Sequence, residues 1–293
     1  MLQDHTRILE TIAAGAPLVD TLRKLIAFVE AREPGALCAI LIVSDDGRHV
    51  NEACGPGLGK TWVEAQVGVA IAPPHTSAWA ETAWTGRVTE VADIAAETRY
   101  PAGWGDALLG AGRGAVHCTP VLGPSGRASA AIALYYDTGR GPSPTQPALI
   151  ALATQLIAIA LRDKQDQQAV MRRSHFSALL EDRLRRATGP DDALAGAAEL
   201  LGQHIGASVA AYAHVDGGRA VIARDWTAGD GASLVGSFDL TEFGTEGAAA
   251  LNAGLDVAVA GGGAFRPSYI AAPLWRGDKL SSGRATAHVS DRR

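Results

Sequence analysis

The stretch RDKQDQQ, residues 162 to 168, constrains this chain more than any other. It sits inside a helical pattern that starts near Thr145 and runs through Leu184, with apolar residues at Leu149, Leu152, Leu156, Ile159, Val170, Phe176, Leu180 and Leu184. Apolar positions recurring at three and four mark a helix face turned toward a core. A wholly polar stretch in the middle interrupts that face. A helix buried in one domain does not tolerate such a gap, whereas a solvent-crossing connector between two bodies does. The chain is therefore expected to fold as two bodies joined by a helix, which 293 residues allow.

Upstream, Ile8, Leu9, Ile12, Leu18, Leu22, Leu25, Ile26 and Val29 give a helix over 6–31, interrupted near Gly15-Ala16-Pro17 and ended by Pro34-Gly35. A β-rich run from Ala39 to Val43 then meets Asp45-Asp46-Gly47 and a polar strand from His49 to Ala53, which is a hairpin pattern. A helix around Ser77 to Thr85, a short strand Val88 to Val91 and a loop with helix around Tyr100 to Gly112 follow. The strands Ala115 to Leu122 and Ala128 to Tyr136, joined by Gly123-Pro124-Ser125-Gly126, complete an antiparallel sheet.

The hairpin leads into ACGPGLGKT, residues 53 to 61, which nearly spells a phosphate-binding loop. Such a loop needs a first glycine, four free positions and then Gly-Lys-Ser/Thr, so that backbone N–H groups curl around phosphates. Cys54 stands where that glycine belongs, the preceding strand is polar, and glycine and prolines soon follow. A glycine-rich surface loop is the better reading.

The second half repeats the grammar. Pro190-Asp191-Asp192 opens a helix, Ser208 to Val215 and Arg219 to Asp225 read as a hairpin about Gly217-Gly218, and another helix follows. Between Val259 and Ser268 the chain is short, so any pocket in this half is expected to be shallow or missing. Ser281-Ser282-Gly283-Arg284 sits where an apolar strand is expected.

Three segments carry a family resemblance: PGALCAILIVSDDG, IAPPHTSAWAETAWTGRVTEVADI, and GAGRGAVHCTPVLGPSGRASAAIALYYDTGRGPSPTQPALIALATQLIAIAL. Together they resemble a GAF domain of the bacterial signalling type over about residues 5 to 163. The second half is similar to the GAF domains that precede the catalytic part of HWE-type sensor histidine kinases, especially at LLGQHIGAS and ARDWTAG. The resemblance implies an α+β fold of two GAF (PAS-like) domains. Each would have a central antiparallel sheet with helices on one side and a small-ligand pocket under loops and short helices on the other. The expected boundaries are 1-163 for the first GAF domain, 164-185 for a helical connector and 186-293 for a second, shorter GAF-like domain. One departure is Pro74-His75-Thr76-Ser77-Ala78-Trp79, where many relatives have a Gly-Ser-Cys-Gly-Thr-Ala type turn.

The resemblance places Trp79, Trp84 and Trp104 in the helix and loops that roof the pocket, where indole rings suit planar or apolar ligands. His75, Tyr100 and His117 are candidate polar partners, and Cys118 completes the candidate ligand-binding set. His117-Cys118 reads as a reactive pair only if both side chains face one way, and neighbours on a strand normally diverge. Some GAF proteins attach a bilin through a Cys followed by His in an earlier helix; here the order is reversed and the place differs. Others reduce free methionine sulfoxide with loop cysteines, for which Cys54 and Cys118 are the candidates. The histidines show no HxxxH or HExxH spacing, so no metal ligand and no catalytic residue is assigned. His175 in RRSHFSALLEDRLRR lacks a phosphorylation motif and reads as a solvated helix position.

Composition narrows the partners. A formal net charge of -5 without a dense basic stripe gives little pull toward nucleic acid. The longest apolar run, Ile150 to Leu161, is short of the about 20 residues a membrane span needs. The N-terminus lacks a signal-peptide pattern, so the expected location is the cytoplasm. Three cysteines without a CxxC pair imply reduced thiols. The expectation is a non-catalytic sensory or regulatory tandem-GAF protein that binds an unidentified small molecule. It would form a homodimer through its connector helix and signal to an output partner, and no cofactor is named by the sequence. A GAF-based redox enzyme and a ligand-free dimerisation scaffold are the alternatives.

Overall fold

The computed structural model describes residues 2–216, 218–229, 233–243, 249, 257–259, 269–276 and 279–284. The chain divides into two compact units, Met1–Gln168 and Ala169–Arg293.

The first unit opens with α1 (Leu2–Ala13) and α2 (Leu18–Glu30), separated where Gly15 takes a left-handed φ of 68° ahead of Pro17. β1 (Ala36–Val43) and β2 (Val50–Cys54) form the first hairpin. A 3-10 turn (Pro56–Leu58) and α3 (Lys60–Gln66), only 7 residues long, then cover the near-phosphate-loop sequence. Gly57 is small there for a packing reason, since a Cβ would come 2.7 Å from Leu37. α4 (Ala78–Thr85), β3 (Thr89–Val91), α5 (Asp106–Gly110), β4 (Arg113–Leu122) and β5 (Ala128–Asp137) complete the sheet. Its order is β2-β1-β5-β4-β3 and every pairing is antiparallel.

Alternation along the strands sends side chains to two faces, and both are covered. Cys38, Ile40, Ile42, Ile132 and Leu134 pack with Leu22, Leu25 and Ile26 of α2 and with Leu149, Ile150, Leu156 and Ile157 of the following helix. Ala39, Leu41, Val116, Cys118, Ala133 and Tyr135 face the other way, beneath α4 and the loops. Helices on one side of an antiparallel sheet, with short helices and loops on the other, is the GAF plan, and the first unit has this α+β fold.

α6 (Gln146–Arg185) spans 40 residues, against the 145 to 184 expected from periodicity. Its start is anchored by Glu33. That buried carboxylate accepts the Ser143 N–H at 2.7 Å and the Ser143 hydroxyl at 2.6 Å. α6 is part of the core as far as Leu161, and Lys164 Nζ then pairs with Glu52 of β2 at 2.9 Å. The polar stretch follows the last buried turn, and Gln168, where the first unit ends, lies inside the helix. Val170 and Met171 beyond it are 68% and 70% exposed.

In the second unit, α7 (Pro190–Ile205) begins with proline at its first turn and ends at Gly206 in the left-handed region. Asp192 accepts the Thr188 N–H at 2.8 Å and pairs with Arg183, whose hydrogen bond is the chief reason its carboxyl titrates at about 2. β6 (Val209–Asp216), β7 (Arg219–Thr227) and β8 (Gly236–Asp239) form one antiparallel sheet. β9 (Val257–Val259), β10 (Tyr269–Arg276) and β11 (Lys279–Arg284) form another, and β11 lies beside β6. The sequences LLGQHIGAS and ARDWTAG meet here. Gly202 of α7 lies against the Trp226 ring so closely that a Cβ would fall well inside van der Waals contact, and 3.2 Å from Ala210. The Ser281 to Arg284 stretch is a strand in backbone, polar as it is. The helix expected after β7 and the short segment between Val259 and Ser268 lie largely outside the described residues.

Candidate functional site

α4 and the loop from Ala92 to Gly105 roof the sheet face opposite the long helices. Ser77 caps α4, its Oγ accepting the Ala80 N–H at 3.4 Å, and Gly86 ends it with a φ of 65°. The inward side of α4 carries Trp79, Ala80, Thr82 and Ala83, all buried. Glu81 beside them holds the roof together. It accepts the Tyr100 hydroxyl at 2.5 Å and the Arg99 guanidinium at 3.3 Å, and Arg99 also binds Glu97 at 2.7 Å and the Glu90 carbonyl at 3.2 Å. Burial first, and then the bond to Glu81, pushes the Tyr100 phenol well above its ordinary value, so it stays a neutral donor. Its ring meets Trp104 edge-on at 4.8 Å, while Trp62 meets Tyr135 of the sheet at 5.6 Å.

The structure brings together some of the residues singled out from sequence and separates others. Trp79 (3% exposed), Tyr100 and Cys118 share one core, and Trp104 packs at its edge. His75 is half-buried and its Nδ1 donates to the Ile71 carbonyl at 3.0 Å. Trp84 points away and is 45% exposed. His117 lies on the opposite face from Cys118, as strand alternation requires; its Nδ1 approaches Glu90 at 2.9 Å and its Nε2 lies 3.2 Å from the Thr119 hydroxyl. A pocket wall containing Trp84 and His117 along with the others is therefore not what forms. Trp79, Tyr100, Tyr135 and their neighbours pack against one another over the sheet face.

One polar atom inside this packing escaped sequence reading. Thr82 Oγ1 is fully buried on α4 and, among the described residues, has no hydrogen-bond partner. Such a hydroxyl costs about 1–3 kcal/mol relative to a satisfied one. Only the spacing of Thr82 from Trp79 along α4, one turn, signalled that the two share a side.

The cysteines bear on redox chemistry. Cys38 and Cys54 lie in the helix-side core and Cys118 in the other, so the sheet stands between Cys54 and Cys118. All three are free thiols, and burial raises the pKa of each. A thiolate attacks and a buried thiol seldom ionises. In the native protein, Ellman's reagent is expected to modify these thiols at least about tenfold more slowly than in urea; a fast native phase at neutral pH would reveal an activated cysteine. Among the described residues no group of three or more His, Cys, Asp and Glu side chains is placed to hold a metal ion, and no helix is long and apolar enough to cross a membrane.

No family model matches the sequence, and no curated protein does. Solved structures are similar in fold. Bacteriophytochrome RpBphP3 from R. palustris matches 98% of this chain at 13% identity with a TM-score of 0.51; the chain spans 62% of that protein. The GAF domain of a phosphoenolpyruvate-protein phosphotransferase from Acinetobacter covers 57% of this chain and 96% of its own at 13% identity, with a TM-score of 0.43. The free methionine-R-sulfoxide reductase from Neisseria meningitidis covers 56% of this chain and 89% of its own at 12% identity, with a TM-score of 0.40.

Proposed function

We propose, with the GAF fold of the first unit as premise, that this chain is a non-catalytic cytoplasmic regulatory protein of two GAF domains, 1-163 and 186-293, joined by a helical connector over 164-185. Two copies pair through that connector, and a small molecule held by the first domain favours one pairing over another and so signals to an output partner. The observation that carries this is α6. Its first half is built into the core of the first unit, and its continuation exposes Val170, Met171, Leu179 and Leu184. Of these, Val170 and Leu184 stand close to four turns apart on one side of the helix, and exposed apolar residues so placed favour a second helix as cover. The strand order of the second unit, with β11 beside β6, supports a second GAF domain, since it repeats that of the first with β8 added outside.

A ligand acts in this scheme only through differential affinity for the two pairings. Trp79, Tyr100, Trp104 and Cys118 are the side chains it would meet, and Thr82 Oγ1, without a hydrogen-bond partner among the described residues, is a polar group available to it. In solution the chain is expected to be a dimer, and Val170→Asp together with Leu184→Asp is expected to weaken self-association at least about tenfold, since each buried charge costs several kcal/mol unless paired. Sedimentation velocity reads this directly, and a dimer indifferent to both changes removes the connector from the proposal.

A scaffold without ligand is the second reading, favoured by how completely side chains fill the sheet face. Native mass spectrometry separates the two: extra non-covalent mass on the dimer supports a sensor, and bare chains support the scaffold. The separation of Cys54 from Cys118 disfavours a redox enzyme using that pair.

A further inference from the structure

The two hairpin turns of the first unit meet at one end of its sheet, because β1 and β5 are antiparallel neighbours. Between the turn after β1, the turn after β4, the end of α4 and α6 lies a cleft of about 640 Å³, lined among others by Asp45, Asn51, Trp84, Arg127, Gln165 and Gln168. It borders the core under Trp79, sharing Val43, Ile71 and Ala83 with it, but Trp79, Tyr100, Trp104 and Cys118 do not line it.

Two opposite charges look into this cleft without neutralising each other. Among the described residues neither the Asp45 carboxylate nor the Arg127 guanidinium has a hydrogen-bond or ion-pair partner. The turns do not need either charge. Asp46, not Asp45, braces the first turn, binding the Ser44 hydroxyl at 2.5 Å and the Arg48 N–H at 3.0 Å. The second turn closes through the Gly126 N–H to the Gly123 carbonyl at 3.0 Å. The Arg127 guanidinium nevertheless lies on Gly47, where a Cβ would stand 2.9 Å from Nη2, so it is held beside the turn that carries Asp45. Lys164 in the same wall is neutralised by Glu52 at 2.9 Å. Trp84, with 45% of its surface exposed, supplies a broad apolar wall.

We propose that this cleft binds a small zwitterion bearing a flat apolar group, its carboxylate on Arg127, its ammonium on Asp45 and its ring against Trp84. A guanidinium takes a carboxylate through paired N–H donors, and an indole takes a ring at low entropic cost. Gln165 and Gln168 belong to the last turns of α6 inside the first unit, so occupancy is felt by that helix. This inference stands whether or not the chain is a tandem-GAF regulator.

The test uses the full-length protein with L-phenylalanine as probe, and with phenethylamine and hydrocinnamate as analogues lacking the carboxylate or the ammonium. ¹H–¹⁵N shifts followed by titration are expected to show saturable phenylalanine binding at about 1 mM or tighter, mapped to residues 44–48, 123–127 and 164–168. Each analogue, and each of Asp45→Asn, Arg127→Gln and Trp84→Ala, is expected to bind at least about tenfold more weakly. Asp45 and Trp84 are exposed and Arg127 lies on a surface turn, so the variants should keep the parent's spectrum elsewhere. The proposal is overturned by binding that fails to saturate at about ten times that concentration, by equal affinity for the singly charged analogues, or by binding that survives all three substitutions.

Discussion

Replacing Trp79 with alanine should lower the stability of the first unit by about 3–5 kcal/mol. Trp79 is 3% exposed on the inward side of α4 and packs in one core with Leu41, Val116 and Tyr135. Removing an indole from such a site loses its transfer free energy and leaves a cavity that neighbours fill only in part. Because two units need not unfold together, one global denaturation curve is a poor reporter. Peptide-resolved hydrogen exchange of the full chain is better: protection of β4 and β5 should fall by the full amount while α7 and β7 keep theirs. Trp84→Ala, five residues on and exposed, should cost within about 0.5 kcal/mol. A Trp79→Ala cost below about 1 kcal/mol would mean that the residue is a movable lid over a site and not part of the core. The comparison therefore also weighs the sensor reading against the scaffold.

Gly202→Val is the corresponding experiment in the second unit. There a side chain must enter the space held by the Trp226 ring, with Ala210 Cβ only 3.2 Å away. Overpacking costs about 1–3 kcal/mol, and a rigid ring pinned against a sheet puts this case at the upper end. Even Gly202→Ala should be net unfavourable, although alanine gains about 1 kcal/mol over glycine within a helix. Exchange protection of α7 and β7 should drop while the first unit is unchanged. Adding Trp226→Ala should restore much of the loss caused by Gly202→Ala, since it vacates the same space. Absence of that rescue would mean that the helix and strand are not held together by this contact.

Much of the architecture was legible because it depends on local period and punctuation. The polar gap in the long helix, the Asp-Asp-Gly and Gly-Pro-Ser-Gly turns and the strand alternation gave α6 and the two hairpins of the first unit nearly at their final bounds. Alternation also told in advance that His117 and Cys118 diverge. The site was less legible because its parts meet across long separations. Glu81 and Tyr100 are 19 residues apart, and Glu33 and Ser143 are 110 apart, so neither contact leaves a local pattern. Trp84 was grouped with Trp79 by position in the helix, yet five residues turn a helix by about 140° from facing the same way. The faces chosen by Cys54 and Cys118 needed the register of β2 and β4 in a common sheet, which spacing alone does not supply.

Glu33 also limits how α6 can move. Sliding the helix by one turn, about 5.4 Å, would pull Ser143 off a buried carboxylate and leave that charge without its two donors. The bonds from Ser143, the packing through Leu161 and the Lys164–Glu52 pair clamp the rod at its near end. A rod held that way is fixed at its near end against turning as well as sliding, so the freedom left to the helix beyond Gln168 is to bend.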